Sequence, residues 1–143
     1  MGQALYGTGG DYLRFLRMLL GGGALDGARV LSEDGAALLL SNQTGDLPIG
    51  HFTSVSPGAS ASAEFFPGAR KSHSLACLRV EDDVPGMRRA GSCGWAGLMN
   101  THYWIDPTAG ICAVLMMQQL PFMEPGAASL YEAFERAVYA ELS

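Results

Sequence analysis

The fold is predicted most clearly by one stretch of the sequence, GSCGWAGLMNTHYWIDPTAGICAVLMMQQ, residues 91–119. Short runs rich in aromatic and β-branched residues alternate in it with turn residues, and a similar run, SLACLRV, precedes it at 74–80. The connector DPTAG (106–110) suits a hairpin because proline presets one turn residue and glycine accepts a positive φ. These runs predict an antiparallel β-meander of three to four strands.

Helical patterns flank the predicted strands on both sides. Thr8 and Asp11 have the spacing of a capping box, and leucines then recur at helical spacing until three glycines end the pattern, which predicts a helix over 11–20. Ser32 can cap a short second helix that ends at residue 40. Pro125, at or near the first helical position, opens a C-terminal helix. The predicted apolar stripe of that helix consists of Leu130, Phe134, Ala137 and Val138.

The region between the second helix and the strands, 44–71, is rich in Gly, Pro, Ser and Ala. This composition predicts a long, variable loop with at most a short strand. The chain has 143 residues, a length that fits one domain with a sizeable core. We therefore predict a single α+β domain over 1–143, in which N-terminal helices and a C-terminal helix pack the meander.

The charge and the apolar content argue against two classes of partner. The net charge is −5, and one lysine with eight arginines forms no basic stripe, so we predict no nucleic-acid binding. The longest apolar runs are shorter than the roughly 18 to 20 residues that cross a bilayer, so we predict no membrane span. Three cysteines, none of them in a Cys-x-x-Cys motif, favour free thiols in a reducing, cytoplasmic setting without fixing the localisation.

The sequence suggests one candidate catalytic dyad, in which Cys93 is the nucleophile and His102 is its base. Cys93 falls inside a predicted strand rather than at an electropositive helix N-terminus, so we interpret it as a structural cysteine. The three histidines match no zinc spacing, and we predict no metal or other cofactor. A Ser-x-x-Lys nucleophile motif is absent from the sequence, because the only lysine, Lys71, stands three residues after Gly68.

Three stretches in order resemble a known family. They are LYGTGGDYLRFLRMLLGGGALDGARVLSEDGAALLLSNQ (5–43), the stretch 91–119 and the terminal helix. Their order and spacing resemble the C-terminal part of the serine β-lactamase-like hydrolases, the superfamily of class C β-lactamases, penicillin-binding proteins and family VIII esterases. The resemblance covers nearly the whole chain except the variable loop.

The resemblance implies roles for four consecutive residues. The third strand of that family carries a Lys-Thr-Gly or equivalent triplet that lines the active site, and Trp95, Ala96 and Gly97 stand at its place. The backbone N–H of Leu98 would then be one donor of the oxyanion hole. Trp95 offers a flat apolar surface where a lysine could pair with a carboxylate, so the resemblance implies neutral esters ahead of amides or β-lactams. The alternative for Trp95 is packing in the core beside Tyr103 and Trp104.

The resemblance also shows what this sequence lacks. The Ser-x-x-Lys motif of the family, the tyrosine that serves as second base and the first strands of the sheet all precede the matched region. We therefore expect a hydrolase segment that is inactive alone, with an exposed sheet edge that pairs with the N-terminal segment of the same hydrolase or with another copy. A non-catalytic binding or assembly module and a self-contained thiol enzyme that uses Cys93 are the two alternatives.

Overall fold

The computed structural model describes residues 5–142; residues 1–4 and 143, which the predicted domain also includes, lie outside the described part. Three helices and seven strands follow one another along the chain. They are α1 (Gly9–Leu20), β1 (Ala24–Leu25), β2 (Ala28–Arg29), α2 (Glu33–Leu40), β3 (Lys71–His73), β4 (Leu78–Val80), β5 (Cys93–Ala96), β6 (His102–Asp106), β7 (Ile111–Leu115) and α3 (Pro125–Ala140). The predicted α+β class is confirmed.

The main sheet is an antiparallel meander in the order β3-β4-β5-β6-β7. In the register of its centre, Trp95 lies opposite Tyr103, and Tyr103 lies opposite Val114. The sheet has five strands rather than three or four, because Lys71 pairs with Val80 and opens an additional strand at the end of the region predicted as a loop. The sequence Lys-Ser-His carries no β-branched side chain and no Phe, Tyr or Trp that would have indicated this strand.

The two N-terminal helices begin at the predicted caps. Thr8 Oγ1 accepts a hydrogen bond from the Asp11 N–H (3.1 Å), and the Asp11 carboxylate accepts one from the Thr8 N–H (2.9 Å), which completes the capping box. Ser32 caps α2 in the same way through the Gly35 N–H. Gly23 follows α1 at φ 90°, where a Cβ would lie only 2.4 Å from the Leu31 carbonyl oxygen, so the turn requires glycine.

The helices cover opposite faces of the sheet. On one face, Leu16 and Leu19 of α1 pack with Ile105 of β6, with Val114 of β7 beside them. On the other face, Tyr131 of α3 packs on Trp104. Strand alternation explains this division, because neighbouring residues of β6 point to opposite sides of the sheet.

The buried stripe of α3 differs from the predicted one. Phe134 and Val138 are partly buried as expected, but Ala137 is exposed and Leu130 is 55% exposed. The fully buried positions are Ala127, Tyr131, Glu135 and Tyr139. Polar partners outside α3 explain the difference, because they hydrogen-bond a glutamate and two tyrosines on its inner face, which a purely apolar pattern does not predict.

Two buried polar contacts join α3 to the connection between β4 and β5 and to the end of β6. The Arg88 guanidinium donates to both carboxylate oxygens of Glu135, at 2.8 Å each, and both side chains are almost completely buried. The Tyr139 hydroxyl donates to the Asp106 carboxylate (2.6 Å), which also accepts from the Arg89 N–H. Within residues 5–142, no helix combines the length and the apolar character that a bilayer crossing requires.

Candidate functional site

The backbone of β5 runs past the end of its neighbour β4. Only Cys93 and Gly94 pair with β4, whereas the pairing with β6 extends through Ala96, and beyond it the Gly97 N–H donates to the Thr101 carbonyl. On the side away from β6, β5 therefore has an open edge beyond Gly94. Leu98 follows in the turn after β5, and no group in residues 5–142 accepts a hydrogen bond from its N–H.

The turn between β5 and β6 is held in place by Asn100. This residue has φ 60° and is completely buried. Its side-chain amide donates to the carbonyls of Gln119 (2.9 Å) and Pro121 (3.0 Å), and its Oδ1 accepts from the Met123 N–H (2.8 Å). Such a fully satisfied buried amide fixes the backbone around it. The only signal for this role in the sequence is the tolerance of asparagine for a left-handed turn.

A cavity of about 530 Å³, the β5 cleft, lies against this open edge. Residues 95–98 form one wall, so the structure brings together all four residues that the sequence assigned to the site. Three phenylalanines from outside the sheet contribute other walls: Phe52 and Phe65 come from the variable loop, and Phe122 follows β7. The sequence analysis did not identify them, because they come from distant parts of the chain.

Trp95 lies at the surface of this cleft. Its side chain is 47% exposed, and its ring meets that of His73 edge-on, with 5.2 Å between the centroids. Trp104, by contrast, is completely buried beneath α3. The two tryptophans therefore occupy different environments. Trp104 is a core residue, whereas Trp95 lines the cleft.

Among the described residues, one lysine and no arginine line the β5 cleft, and that lysine is already paired. Lys71 Nζ donates to the Glu64 carboxylate (2.8 Å) and to the Phe66 carbonyl (3.1 Å), and only 2% of its side chain is exposed. Pairing of this kind leaves little net charge for an anionic ligand. With its mainly aromatic and aliphatic walls, the cleft suits an uncharged ligand with an apolar portion.

The structure does not bring Cys93 and His102 together as a catalytic dyad. Cys93 lies opposite Ile105, and His102 lies opposite Ala96, so their side chains occupy opposite faces of the sheet. The contact with the Cys77 thiol, together with burial, raises the pKa of Cys93. A thiol in that environment is a poor nucleophile at neutral pH, which supports a structural role for Cys93.

His102 is a packing residue. Its ring stacks on Tyr131 at 4.0 Å between centroids, its side chain is buried, and its Nε2 has no hydrogen-bond partner within residues 5–142. Burial, with a smaller effect of the nearby Arg88 cation, lowers the pKa of His102 from 6.5 to about 4. The imidazole is therefore neutral in the folded protein at neutral pH.

We expect the folded state to lose stability as the pH falls from 6.5 to 4. Over this range the unfolded state binds a proton at His102 and the folded state does not, so protonation favours unfolding. The contribution is of the order of 3 kcal/mol. In urea unfolding at a series of pH values, His102→Phe should show a smaller loss than the wild type. Equal losses in both proteins would show that carboxylates alone cause the pH dependence.

No cluster of three or more His, Cys, Asp or Glu side chains that could hold a metal ion occurs in the described range 5–142. A second hollow, of about 650 Å³, lies on the α1 side of β5. It is lined by Trp95, Tyr103 and Val114 of the sheet and by Tyr12 and Phe15 of α1. The open end of β5 thus separates two apolar hollows.

Sequence comparisons identify relatives that are about three times as long as this chain. No family model matches the chain. It is 31% identical over 133 residues to an uncharacterised protein of Mycobacterium tuberculosis, a match that covers 90% of this chain and 31% of that protein. It is 29% identical over 154 residues to monacolin J acid methylbutanoyltransferase of Aspergillus terreus, covering 98% of this chain and 34% of that enzyme.

Solved structures give the same relationship. Simvastatin synthase from Aspergillus terreus, in a mutant form, superimposes with a TM-score of 0.73 and 25% identity over 93% of this chain and 33% of that chain. The unliganded selenomethionyl form gives a TM-score of 0.72, also at 25% identity. The chain spans about one third of the length of the relatives that it matches. The chain has the serine β-lactamase-like fold and corresponds to the C-terminal part of that fold.

Proposed function

We propose that this chain forms one wall of the active site of an acyl-serine enzyme. The observation that carries the proposal is the unpaired N–H of Leu98 at the edge of the apolar β5 cleft. A serine of a Ser-x-x-Lys motif, which is absent from these 143 residues, would attack an acyl group held against Trp95, Ala96 and Gly97. This chain contributes binding and electrostatic stabilisation rather than the nucleophile.

The Leu98 N–H would act on the tetrahedral intermediate. Attack on an ester carbonyl places negative charge on its oxygen, and a fixed N–H directed at that position stabilises the charge. Because Asn100 and the Gly97–Thr101 hydrogen bond fix the turn, the donor needs little reorganisation during the reaction. Loss of one such donor typically raises the barrier by about 3 to 4 kcal/mol.

The walls of the cleft favour short, neutral acyl groups. Trp95 and the phenylalanines provide apolar surface, and the Lys71 charge is neutralised by Glu64. A carboxylate, such as that of a penicillin, would find no unpaired lysine or arginine among the described residues that line the cleft. Esters are therefore the preferred class of substrate in the complete protein, ahead of amides and β-lactams.

The fate of the acyl group depends on the acceptor. Water as acceptor gives hydrolysis, and an alcohol gives transfer, from the same acyl-serine intermediate. Relatives named as methylbutanoyltransferases support transfer as one of these outcomes. We propose that the complete protein transfers the acyl group of an ester to water or to the hydroxyl group of an acceptor.

The outer edge of β7 is the proposed site of contact with further strands. β7 is the last strand of the sheet, so one edge of Ile111–Leu115 has no partner strand within residues 5–142. Unpaired strand edges tend to add another strand. The N-terminal segment of the same hydrolase is the proposed partner, and self-association through this edge is the alternative.

A second candidate function is a binding or assembly module without catalysis. The absence of a Ser-x-x-Lys motif from this sequence favours it. Such a module would keep the β5 cleft and bind the same neutral ligands, but no covalent intermediate would form in any longer polypeptide that contains it.

A covalent probe separates these candidates. We expect this chain, incubated with p-nitrophenyl acetate or a fluorophosphonate, to show neither a burst of product nor an adduct by intact mass. The longest native polypeptide that contains the chain should carry one fluorophosphonate adduct, on the serine of an upstream Ser-x-x-Lys motif. Absence of any labelled serine there would favour the binding module, and an acyl adduct on Cys93 would favour the thiol enzyme.

A further inference from the structure

The lining of the β5 cleft contains few side chains with polar atoms. Among the described residues that line it, these are the side chains of Lys71, His73 and Trp95. A lysine ammonium and an indole N–H only donate hydrogen bonds, whereas a neutral imidazole also offers a lone pair. His73 is thus the one side chain among these described residues that can accept a hydrogen bond from a ligand in the cleft.

The main chain beside His73 determines which ring nitrogen carries the proton. Nδ1 lies 3.3 Å from the Ser74 carbonyl oxygen. Because a carbonyl oxygen only accepts, this hydrogen bond requires a proton on Nδ1, and the lone pair of the neutral ring is then on Nε2. No group in residues 5–142 forms a hydrogen bond with Nε2, the ring nitrogen farther from the main chain. Its lone pair is therefore available to a ligand.

His73 is held in place from several directions. Its N–H donates to Thr44 Oγ1 (2.9 Å), and its carbonyl accepts from the Gln43 N–H (2.9 Å). In the β3–β4 ladder it lies opposite Leu78. Its ring meets that of Trp95 edge-on, with 5.2 Å between the centroids. An acceptor that is fixed before binding loses little conformational freedom when a ligand arrives, which favours specific recognition.

We propose that His73 determines the specificity of the β5 cleft by accepting, at Nε2, a hydrogen bond from a hydroxyl group of a neutral, largely apolar ligand. The role of His73 rests on the proposed function, which places an ester or its acyl acceptor in this cleft. A simple ester has acceptor oxygens but no donor, so it would cover the Nε2 lone pair without giving it a partner. A hydroxy ester, or an alcohol that accepts the acyl group, supplies the missing donor.

The charged groups on this side of β3 do not replace His73 as acceptor. Lys71, two residues earlier, lies on the same face of the strand, and its ammonium group is paired with the Glu64 carboxylate (2.8 Å). Glu64 could accept a hydrogen bond, but it is not among the residues that line the cleft. Protonation of the His73 imidazole would turn Nε2 into a donor, so the preference for a hydroxyl group should be lost when the ring is protonated.

The experiment titrates the isotope-labelled chain with ethyl butanoate, ethyl 3-hydroxybutanoate and ethyl 3-methoxybutanoate and follows the amide chemical shifts. The methoxy ester has the size of the hydroxy ester but no donor, so its Kd should be roughly five to ten times higher in the wild type. In His73→Phe, which keeps a ring beside Trp95 but has no lone pair, the two Kd values should be about equal. His51→Phe, a matched change at an exposed histidine outside the cleft lining, should leave the wild-type ratio unchanged.

A second measurement in the wild type does not depend on whether His73→Phe folds. Lowering the pH until the ring signals of His73 show protonation should bring the two Kd values together. Equal Kd values of the hydroxy and methoxy esters in the neutral wild type, or an unchanged ratio in folded His73→Phe, would overturn the role of His73 while leaving the cleft as an ester site. Failure of all three esters, ethyl butanoate included, to shift the Leu98 amide would instead overturn the proposed function itself.

Discussion

Replacing Glu135 by glutamine is expected to lower the free energy of unfolding by about 3 to 5 kcal/mol, because the Arg88 charge would stay buried without its counter-ion. Arg88 is 2% exposed and lies over the Phe66 ring at 4.5 Å, so the guanidinium cannot turn towards water without opening the core. Total stabilities of such domains are about 5 to 15 kcal/mol, so this single change removes a large share.

A matched surface variant shows whether the loss of stability arises from the burial of the ion pair or from the loss of any ion pair. Asp26→Asn also removes a carboxylate from an ion pair, with Arg14 at 2.9 Å, but both of these side chains are more than half exposed. Asparagine tolerates the positive φ of Asp26, so the change should cost at most about 1 kcal/mol. Urea unfolding followed by circular dichroism measures both variants. Equal, small losses for Glu135→Gln and Asp26→Asn would show that the buried pair does not hold α3 in place.

The two tryptophans should respond in opposite ways to replacement by alanine. Trp104→Ala removes a completely buried ring between β6 and α3 and should cost about 3 to 5 kcal/mol or prevent folding. Trp95→Ala should leave the free energy of unfolding within about 1 kcal/mol of wild type, because half of that ring is already exposed.

Ligand binding, unlike stability, should depend on Trp95. If Trp95 lines an acyl-binding cleft, Trp95→Ala should weaken binding of a short neutral ester by about tenfold, which corresponds to about 1.4 kcal/mol of apolar contact. Trp95→Phe retains an aromatic face and should recover part of the loss. A loss of stability in Trp95→Ala with unchanged ester binding would assign Trp95 to packing instead.

The sequence predicted those features that depend on neighbouring residues. Thr8 and Ser32 begin their helices because a cap acts over three positions, and the hairpin at 106–110 follows from proline and glycine. The wall at 95–98 was identified through its resemblance to a family rather than through its chemistry. The fold and the resemblance are confirmed, whereas the roles of these four residues stay predictions.

The features that escaped prediction depend on residues far apart in the sequence. Arg88 and Glu135 are 47 positions apart, and nothing near either residue indicates the other. The aromatic wall of the β5 cleft unites Phe52, from the region predicted as a loop, with Phe122, which follows the last strand. Leu130 is exposed because paired polar groups occupy the inner face of α3, an arrangement that hydrophobic periodicity does not detect.

The most direct test of the central claim is a titration of the isotope-labelled chain with ethyl butanoate, followed through its amide chemical shifts. An acyl-binding cleft at the open end of β5 predicts saturable shifts of the Leu98 and Ala96 amides and of the Trp95 indole N–H. The Trp104 indole, which is completely buried, should stay in place. Shifts confined to other parts of the chain, with the Leu98 amide unmoved at saturation, would contradict the assignment of this wall to the substrate.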